Sequence, residues 1–349
     1  MAIYEDKHIL IEVDTLEYFA SYLTDVGARL SEAYLRGPRE VEFRSKRARS
    51  ATNGIDGPSL VTRASEESNS LLQSALPDLF TQTEQIVFVS EENPLFIHKA
   101  PGPRVFTAML AQSPYYWLVD PLDGDKQFLQ ANQQSHERAT RLEERVNPEY
   151  RQPPCAIMAT LMHASEKGSY GRPVLTGIYS FTHKTTFIGF DFPDAERGAY
   201  RLNREAGKTF LPISTSNNNP AKIITLNSEE GVARTQRYIL TGETETPAVS
   251  LSVKSVGQKM LSVALGESDG YIPFIHAPEL ERTMGPWDIA PMVIVRAAGG
   301  SVLDLHTRKP VTAFDENLFR ARFRLALTNG KLDTIEAMAI RHCEAILWK

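Results

Sequence analysis

Cysteine is nearly absent: the 349-residue chain has two, Cys155 and Cys343. Two thiols so far apart form neither a disulfide framework nor a zinc-ligand spacing, which excludes stapled mini-domains and zinc modules. Both read as reduced thiols of a cytosolic protein. Long apolar runs are missing as well. No stretch approaches the roughly 18 consecutive apolar residues of a membrane span. The first residues, MAIYEDKHILIEV, lack the basic start and long apolar centre of a secretory signal. There is no basic excess either. The formal charge is -5, from 38 Lys and Arg against 43 Asp and Glu, unlike the footprint of a nucleic-acid binder. Internal repeats and low-complexity tracts are lacking. What remains is a chain expected to be soluble and cytoplasmic, long enough for two domains or one large α/β unit.

Residues 15–35 carry Leu16, Phe19, Leu23, Val26, Leu30 and Leu35 at helical spacing and predict an amphipathic helix. Residues 36–59 are rich in breakers and basic side chains and read as a loop. Their RSKRAR stretch is either a solvated loop or a lip for an anionic substrate. A helix then starts near Thr62, whose hydroxyl caps it. Residues 86–89 and 115–119 predict short strands, the first stopping at Ser90-Glu91-Glu92 and the second at Asp120. Residues 130–154 are polar and read as an inserted helix or loop. CAIMATLMHA, VLTGIYSFTH, KTTFIGFDF and GAYRLN predict an antiparallel meander.

SNNNPAK, 216–222, is the best boundary between an N-terminal α+β half, 1–215, and a C-terminal α/β half, 216–349. In the second half KIITLN and SVLDL read as strands, and KMLSVALGES reads as a helix or a buried strand. WDIAPMVIVRAAGG predicts a helix with Asp288 near its start, Pro291 tolerated in the first turn, and Gly299 and Gly300 as the stop.

One stretch stands out chemically. WLVDPLDGDKQFL, residues 117–129, places Asp120, Asp123 and Asp125 within six residues, directly after an apolar run. Locally this is consistent with a solvated turn. Glu91 also follows an apolar strand, and Asp288 sits at a helix start. Alone, Asp288 reads equally well as a cap favoured by the helix dipole. Strand ends and helix starts are, however, where α/β proteins place ligand sites. Carboxylates converging there repel, so one must stay protonated or a cation must lie between them. Mg²⁺ suits such oxygen donors. The Asp-x-x-Asp spacing allows Asp120, Asp123 and the Leu122 carbonyl to face one site. Two ions would suit an in-line phosphoryl displacement, one activating water and one stabilising the leaving oxygen. Gly124 permits close backbone approach, and the N–H groups of Gly124 and Asp125 at a helix start are candidate phosphate donors.

VSEEN, WLVDPLDGD and WDIAPMVIVRAAGG, in this order, resemble the three signatures of the inositol monophosphatase superfamily. The resemblance runs from the first helix to about residue 310, with 130–154 as an extra segment. It implies an α/β fold, a layered αβαβα sandwich of the sugar-phosphatase type, with the site between its halves. It implies a Mg²⁺-dependent, lithium-sensitive phosphoric monoester hydrolase using two or three ions, acting on a small phosphate and commonly homodimeric. Glu91, Asp120, Leu122, Asp123 and Asp288 resemble the metal ligands, Glu91 also serving catalysis. Neither nucleic acid nor membrane is implied as a partner.

SVGQKMLSVALGESDGY, with Lys259, Gly266 and Tyr271, and the later GGSVLDLHT resemble the 3'(2'),5'-bisphosphate nucleotidase branch. That branch converts adenosine 3',5'-bisphosphate to AMP and phosphate. Lys259 would then contact substrate phosphate; otherwise it is a surface lysine at a helix end. Inositol phosphate, a sugar phosphate or a specialised metabolite are the alternative substrates.

Two positions depart from the family. Asp125 stands where the family has Thr, and Thr62-Arg63-Ala64-Ser65 stands where it has Thr-x-Ala-Asp. The expectation is a hydrogen-bonded Ser65–Asp125 pair with exchanged roles, Asp125 accepting the water's proton or binding a metal. A carboxylate there also repels phosphate unless a cation intervenes. The opposing expectation is a weakened site that holds metal and phosphate without turnover.

Overall fold

The structure, a computed structural model, describes residues 2–36, 43–46, 59–82, 85–92, 114–140, 153–164, 170–193, 195, 197–203, 210–216, 223–226, 248–251, 255–272, 286–304, 309–314 and 325–328. The elements run β1 (Ala2–Glu5), β2 (Leu10–Glu12), α1 (Val13–Leu30), β3 (Phe43–Lys46), β4 (Ser59–Thr62), α2 (Arg63–Ala75), β5 (Val87–Ser90), β6 (Tyr115–Asp123), α3 (Asp125–Thr140), β7 (Ala156–His163), β8 (Arg172–Ser180), β9 (Thr185–Phe190), β10 (Gly198–Leu202), β11 (Phe210–Pro212), β12 (Ile223–Leu226), β13 (Ala248–Leu251), α4 (Val256–Ala264), β14 (Gly270–Ile272), α5 (Pro286–Ile289), α6 (Val293–Ala297), β15 (Ser301–Asp304), β16 (Lys309–Pro310) and β17 (Leu325–Thr328).

Two sheets carry the fold. The first has seven strands in the order β11-β10-β9-β8-β7-β6-β5, antiparallel except for the parallel β5–β6 pair. Its β7–β10 stretch is the expected meander. The second has six strands in the order β13-β12-β14-β17-β15-β16 and is mixed. On one face of the first sheet α1 lies across β8 and β9, and α2 lies on β6. On the other face α4 and α6 lie between the two sheets. This α, β, α, β alternation is that of the layered sandwich; the expected last helical layer lies outside the described residues.

The hydrophobic periods explain the layers. Leu16, Phe19, Leu23, Val26 and Leu30 repeat on one face of α1, and all are buried. Each such side chain contributes about 1.5–3 kcal/mol relative to exposure. All nine residues of β6 are buried. Tyr115, Trp117 and Val119 enter the core under α1 and α2, while Tyr116 and Leu118 enter the core shared with α4 and α6. This is the period-two alternation of a strand covered on both faces.

Several expectations need correction. The helix expected over 15–35 starts at Val13, and its last turn, Ser31–Arg36, is wound more widely. Part of the expected 36–59 loop pairs instead, as the antiparallel β3–β4 ribbon. β6 continues past Asp120 to Asp123. The polar insert begins as α3, whose last residue is Thr140. WDIAPMVIVRAAGG is not one helix but α5, a tight turn at Ala290–Met292 and α6. Pro291 lacks an N–H and falls in the break. Residues 217–222, most of the expected boundary, lie outside the described residues.

Candidate metal and phosphate site

β6 ends in a defect that builds the site. Its ladder pairs Asp120 with Met158 and Asp123 with Ala156, so three steps on β6 face two on β7. In a regular strand, residues three apart point to opposite faces. The extra residue is a bulge, and it returns Asp120 and Asp123 to one side. Pro121 favours it, because a proline has no N–H for the ladder. The Leu122 N–H, displaced from the ladder, donates to Asp120 Oδ1 at 3.1 Å.

Asp288 of α5 completes a cluster. Carboxylate oxygens of Asp120, Asp123 and Asp288 lie within 4.8 Å of one another. Glu91 follows β5, where its N–H donates to the Val119 carbonyl at 3.0 Å. That bond docks it beside the end of β6. Burial holds the Asp120 carboxyl well above the usual range, and the charges of Glu91, Asp123, Asp288 and Asp125 push it further. Glu91 heads those charges, although it lies outside the tight group of three. A site made only of hard oxygen donors and disfavouring their joint ionisation fits a hard divalent cation such as Mg²⁺.

Asp123 is fixed from the opposite side. Its Oδ2 accepts the Gly257 N–H at 2.5 Å and its Oδ1 the Val256 N–H at 3.3 Å. Both donors belong to the first turn of α4, where free N–H groups favour an anion. Burial raises the Asp123 carboxyl, while the Gly257 and Ser255 hydrogen bonds and the Lys259 charge oppose the rise. A Cβ on Gly257 would lie 2.6 Å from Met158 Sδ and 3.1 Å from Asp123 Oδ2, so any other residue must displace Met158 and press on Asp123.

Lys259 is not a surface lysine. It is buried in α4, with Nζ 5.6 Å from the centre of the Tyr271 ring. Burial lowers its ammonium to about 8, against the pull of Asp123. Gly124 takes φ = 98°, a turn conformation natural to glycine, and its carbonyl accepts the Phe128 N–H at 3.0 Å as α3 begins. Cys155, fully buried, donates its thiol to that same carbonyl at 3.2 Å. Burial, then Asp123, Asp125 and Asp120, push its thiol pKa up, so it stays protonated.

The expected Ser65–Asp125 pair does not form. Asp125, the first residue of α3, accepts a 2.7 Å bond from the Thr62 hydroxyl instead. Ser65 is fully buried and spends its side chain on the α2 cap. Its hydroxyl donates to the Thr62 carbonyl at 2.9 Å and accepts the Thr62 N–H at 3.2 Å. The Ser65 N–H in turn donates to Thr62 Oγ1 at 3.0 Å. A serine at this place is too short and too well satisfied locally to serve Asp125.

The structure thus brings together Asp120, Asp123 and Asp288, sets Glu91, Lys259, Gly124, Leu122 and Asp125 around them, and withdraws Ser65. Sequence reasoning missed Thr62 beyond its capping role, and it missed Ser255, Val256 and Gly257. The Ser-x-Gly start of SVGQKM, a helix cap followed by a residue without a side chain, was the available signal.

Comparison with known proteins identifies the family. The model of the inositol monophosphatase family matches residues 26–341. Among solved structures, the chain is similar to the IMPase of Thermotoga maritima, with 20% identity, a TM-score of 0.57, and coverage of 96% of this chain and 100% of that one. It is similar to CysQ from Bacteroides thetaiotaomicron, with 17% identity, a TM-score of 0.53, and coverage of 90% and 96%. A staphylococcal IMPase-II with 2'AMP bound gives 14% identity, a TM-score of 0.57, and coverage of 97% and 98%. No curated protein matches. With two acids brought together by a bulge, a third supplied by α5, and a family match over most of its length, the chain belongs to the inositol monophosphatase family.

Proposed function

We propose that the chain is a Mg²⁺-dependent phosphomonoesterase acting on a small phosphorylated metabolite. The observation that carries this reading is the convergence of Asp120, Asp123 and Asp288 oxygens within 4.8 Å. Those three, with Glu91 and the Leu122 carbonyl, would hold two or three ions, which supply charge neutralisation and water activation when bound. Asp123 is pre-set for this by the α4 N–H groups, so little reorganisation is needed. Asp125 stands next to the cluster and takes the proton of the attacking water. The start of α3 at Gly124 and Asp125 receives the phosphate, with Lys259 as the cationic partner from the second half.

For the substrate we favour a 3',5'-bisphosphorylated nucleoside, adenosine 3',5'-bisphosphate going to AMP and phosphate. Two features support this choice. Lys259 is buried beside Asp123 rather than solvated, a placement suited to a second phosphate or to the scissile one. A similar fold, the staphylococcal IMPase-II, has 2'AMP bound. Inositol and sugar monophosphates are the competing substrates within the same chemistry. Lithium sensitivity, a homodimer and a cytoplasmic location belong to the same proposal.

A second reading has its own observation. Asp125 places a carboxylate at the helix start that would otherwise offer only N–H groups to phosphate, which favours a protein that binds metal without turnover. Ranking kcat/KM over adenosine 3',5'-bisphosphate, inositol 1-phosphate and several sugar phosphates tests both. We expect the bisphosphate first by at least 10-fold. Preference for inositol 1-phosphate would move the chain to another branch. Tight Mg²⁺ binding without release from any substrate would favour the second reading.

A further inference from the structure

We infer that Thr62 is the positioning residue for the general base, holding Asp125 toward the attacking water. This rests on the phosphatase reading and extends it to a residue so far assigned only to a helix cap. The geometry is specific. A hydroxyl has one proton to give. The Thr62 oxygen already accepts the Ser65 N–H at 3.0 Å, and its proton goes to Asp125 Oδ1 at 2.7 Å. A bond this short to a carboxylate is of the charge-assisted, stronger kind.

Thr62 is itself immobile. It is fully buried, its N–H and carbonyl are both tied to Ser65 Oγ, and its branched side chain has few rotamers. It caps α2, which packs on β6, the strand that carries Asp120 and Asp123. Thr62 therefore ties Asp125 to the same rigid frame as the metal-site acids.

The step it serves is balanced and redox-neutral. The water oxygen forms the new bond to phosphorus, and its proton passes to Asp125. The ester P–O bond breaks with its electron pair on the substrate oxygen, which takes a proton back from Asp125 or from solvent. Thr62 moves no proton in this scheme; it fixes where Asp125 stands.

The test is a double-mutant cycle on the Mg²⁺-loaded full chain, with the preferred phosphate ester from the substrate panel. Asp125→Asn should lower kcat roughly 10²–10⁴-fold, the usual range for a lost general base. Thr62→Val should lower kcat about 10-fold with KM held, and Thr62→Ser should stay within about 3-fold of wild type. The double variant Thr62→Val/Asp125→Asn should be no slower than Asp125→Asn alone, because the hydroxyl then has no base to orient. Thermal melts of Thr62→Val beside Ser65→Ala, which breaks the same cap, separate folding loss from catalytic loss. If Thr62→Val melts too low to assay, Thr62→Asn decides. It keeps a capping oxygen but moves the donor one bond outward, so kcat should fall at least 3-fold.

Effects that multiply in the double variant, or full kcat in either Thr62→Val or Thr62→Asn, overturn the inference while leaving the phosphatase reading intact. So does an Asp125→Asn protein as fast as wild type. A wild-type protein that hydrolyses no phosphate ester overturns that reading and this inference with it.

Discussion

Replacing Asp120 by Asn should make the metal-free protein more stable while abolishing its response to Mg²⁺. The carboxylate sits among Asp123 and Asp288 with oxygens no more than 4.8 Å apart. Two unit charges at that distance repel by about 3.5 kcal/mol at an effective dielectric near 20. Asp120 has two such neighbours, and Glu91 and Asp125 add to them. The cost has a ceiling, because the group can take up a proton instead. Protonating an ordinary aspartate at pH 7.5 costs about 5 kcal/mol. Asn removes the charge at nearly constant shape, and its carbonyl still accepts the Leu122 N–H that Asp120 Oδ1 holds at 3.1 Å. We expect relief of about 2–4 kcal/mol, raising Tm in EDTA at pH 7.5 by roughly 3–6 °C for a chain of this length.

The pH dependence follows from the sign of the shift. A carboxyl whose native pKa is raised binds its proton more tightly in the folded chain. Its contribution is present at low pH and is lost as pH climbs from the ordinary aspartate range through the raised native value. Wild type in EDTA should therefore lose Tm more steeply than Asp120→Asn as pH rises above the ordinary aspartate range. Saturating Mg²⁺ should reverse the order, stabilising wild type and leaving the variant unmoved. Scanning fluorimetry with and without Mg²⁺ measures all of this. An Asp120→Asn protein that melts below wild type in EDTA at pH 7.5 would refute the reasoning, because the acids would not then be in mutual conflict.

Three other predictions follow from the packing, two at the site and one away from it. Gly257→Ala should cost about 1–3 kcal/mol from overpacking against Met158 and weaken Mg²⁺ binding at least 10-fold in calorimetry, since the new methyl pushes on Asp123. With a native ammonium lowered to about 8, Lys259 costs stability below that pH, and the cost is regained between about pH 8 and 10.5. Its loss of charge should raise KM above pH 8, and Lys259→Met should show a high KM with that limb gone. Far from the site, Asp191 accepts from both Arg172, at 2.9 Å, and Arg296. Asp191→Ala leaves two largely buried guanidinium groups facing each other and should cost about 2–4 kcal/mol in urea melts.

Much of the fold was legible because it depends on periods. The α1 stripe and the four meander strands bury their apolar positions at the spacing the sequence shows. The acids of the site were legible for a similar reason: charged residues directly after apolar strands are out of place unless they meet something. Their geometry was not legible. Whether Asp120 and Asp123 share a face depends on the bulge, and a three-residue spacing in a strand points the wrong way without it. The partner of Asp125 was misread because Ser65 and Thr62 are both hydroxyl residues at the start of one helix. Only the cap geometry decides that Ser65 turns inward to Thr62 and Thr62 outward to Asp125. Burial of Lys259 was equally hidden, since α4 is covered by both sheets and nothing local records the second one.

The most direct test of the central claim is phosphate release by the purified chain in EDTA and after Mg²⁺ is restored, beside Asp123→Asn. Turnover of adenosine 3',5'-bisphosphate is expected only with Mg²⁺, and lost at least 100-fold in the variant. Equal turnover in EDTA, or an Asp123→Asn protein as active as wild type, would contradict a metal-dependent phosphatase built on this cluster.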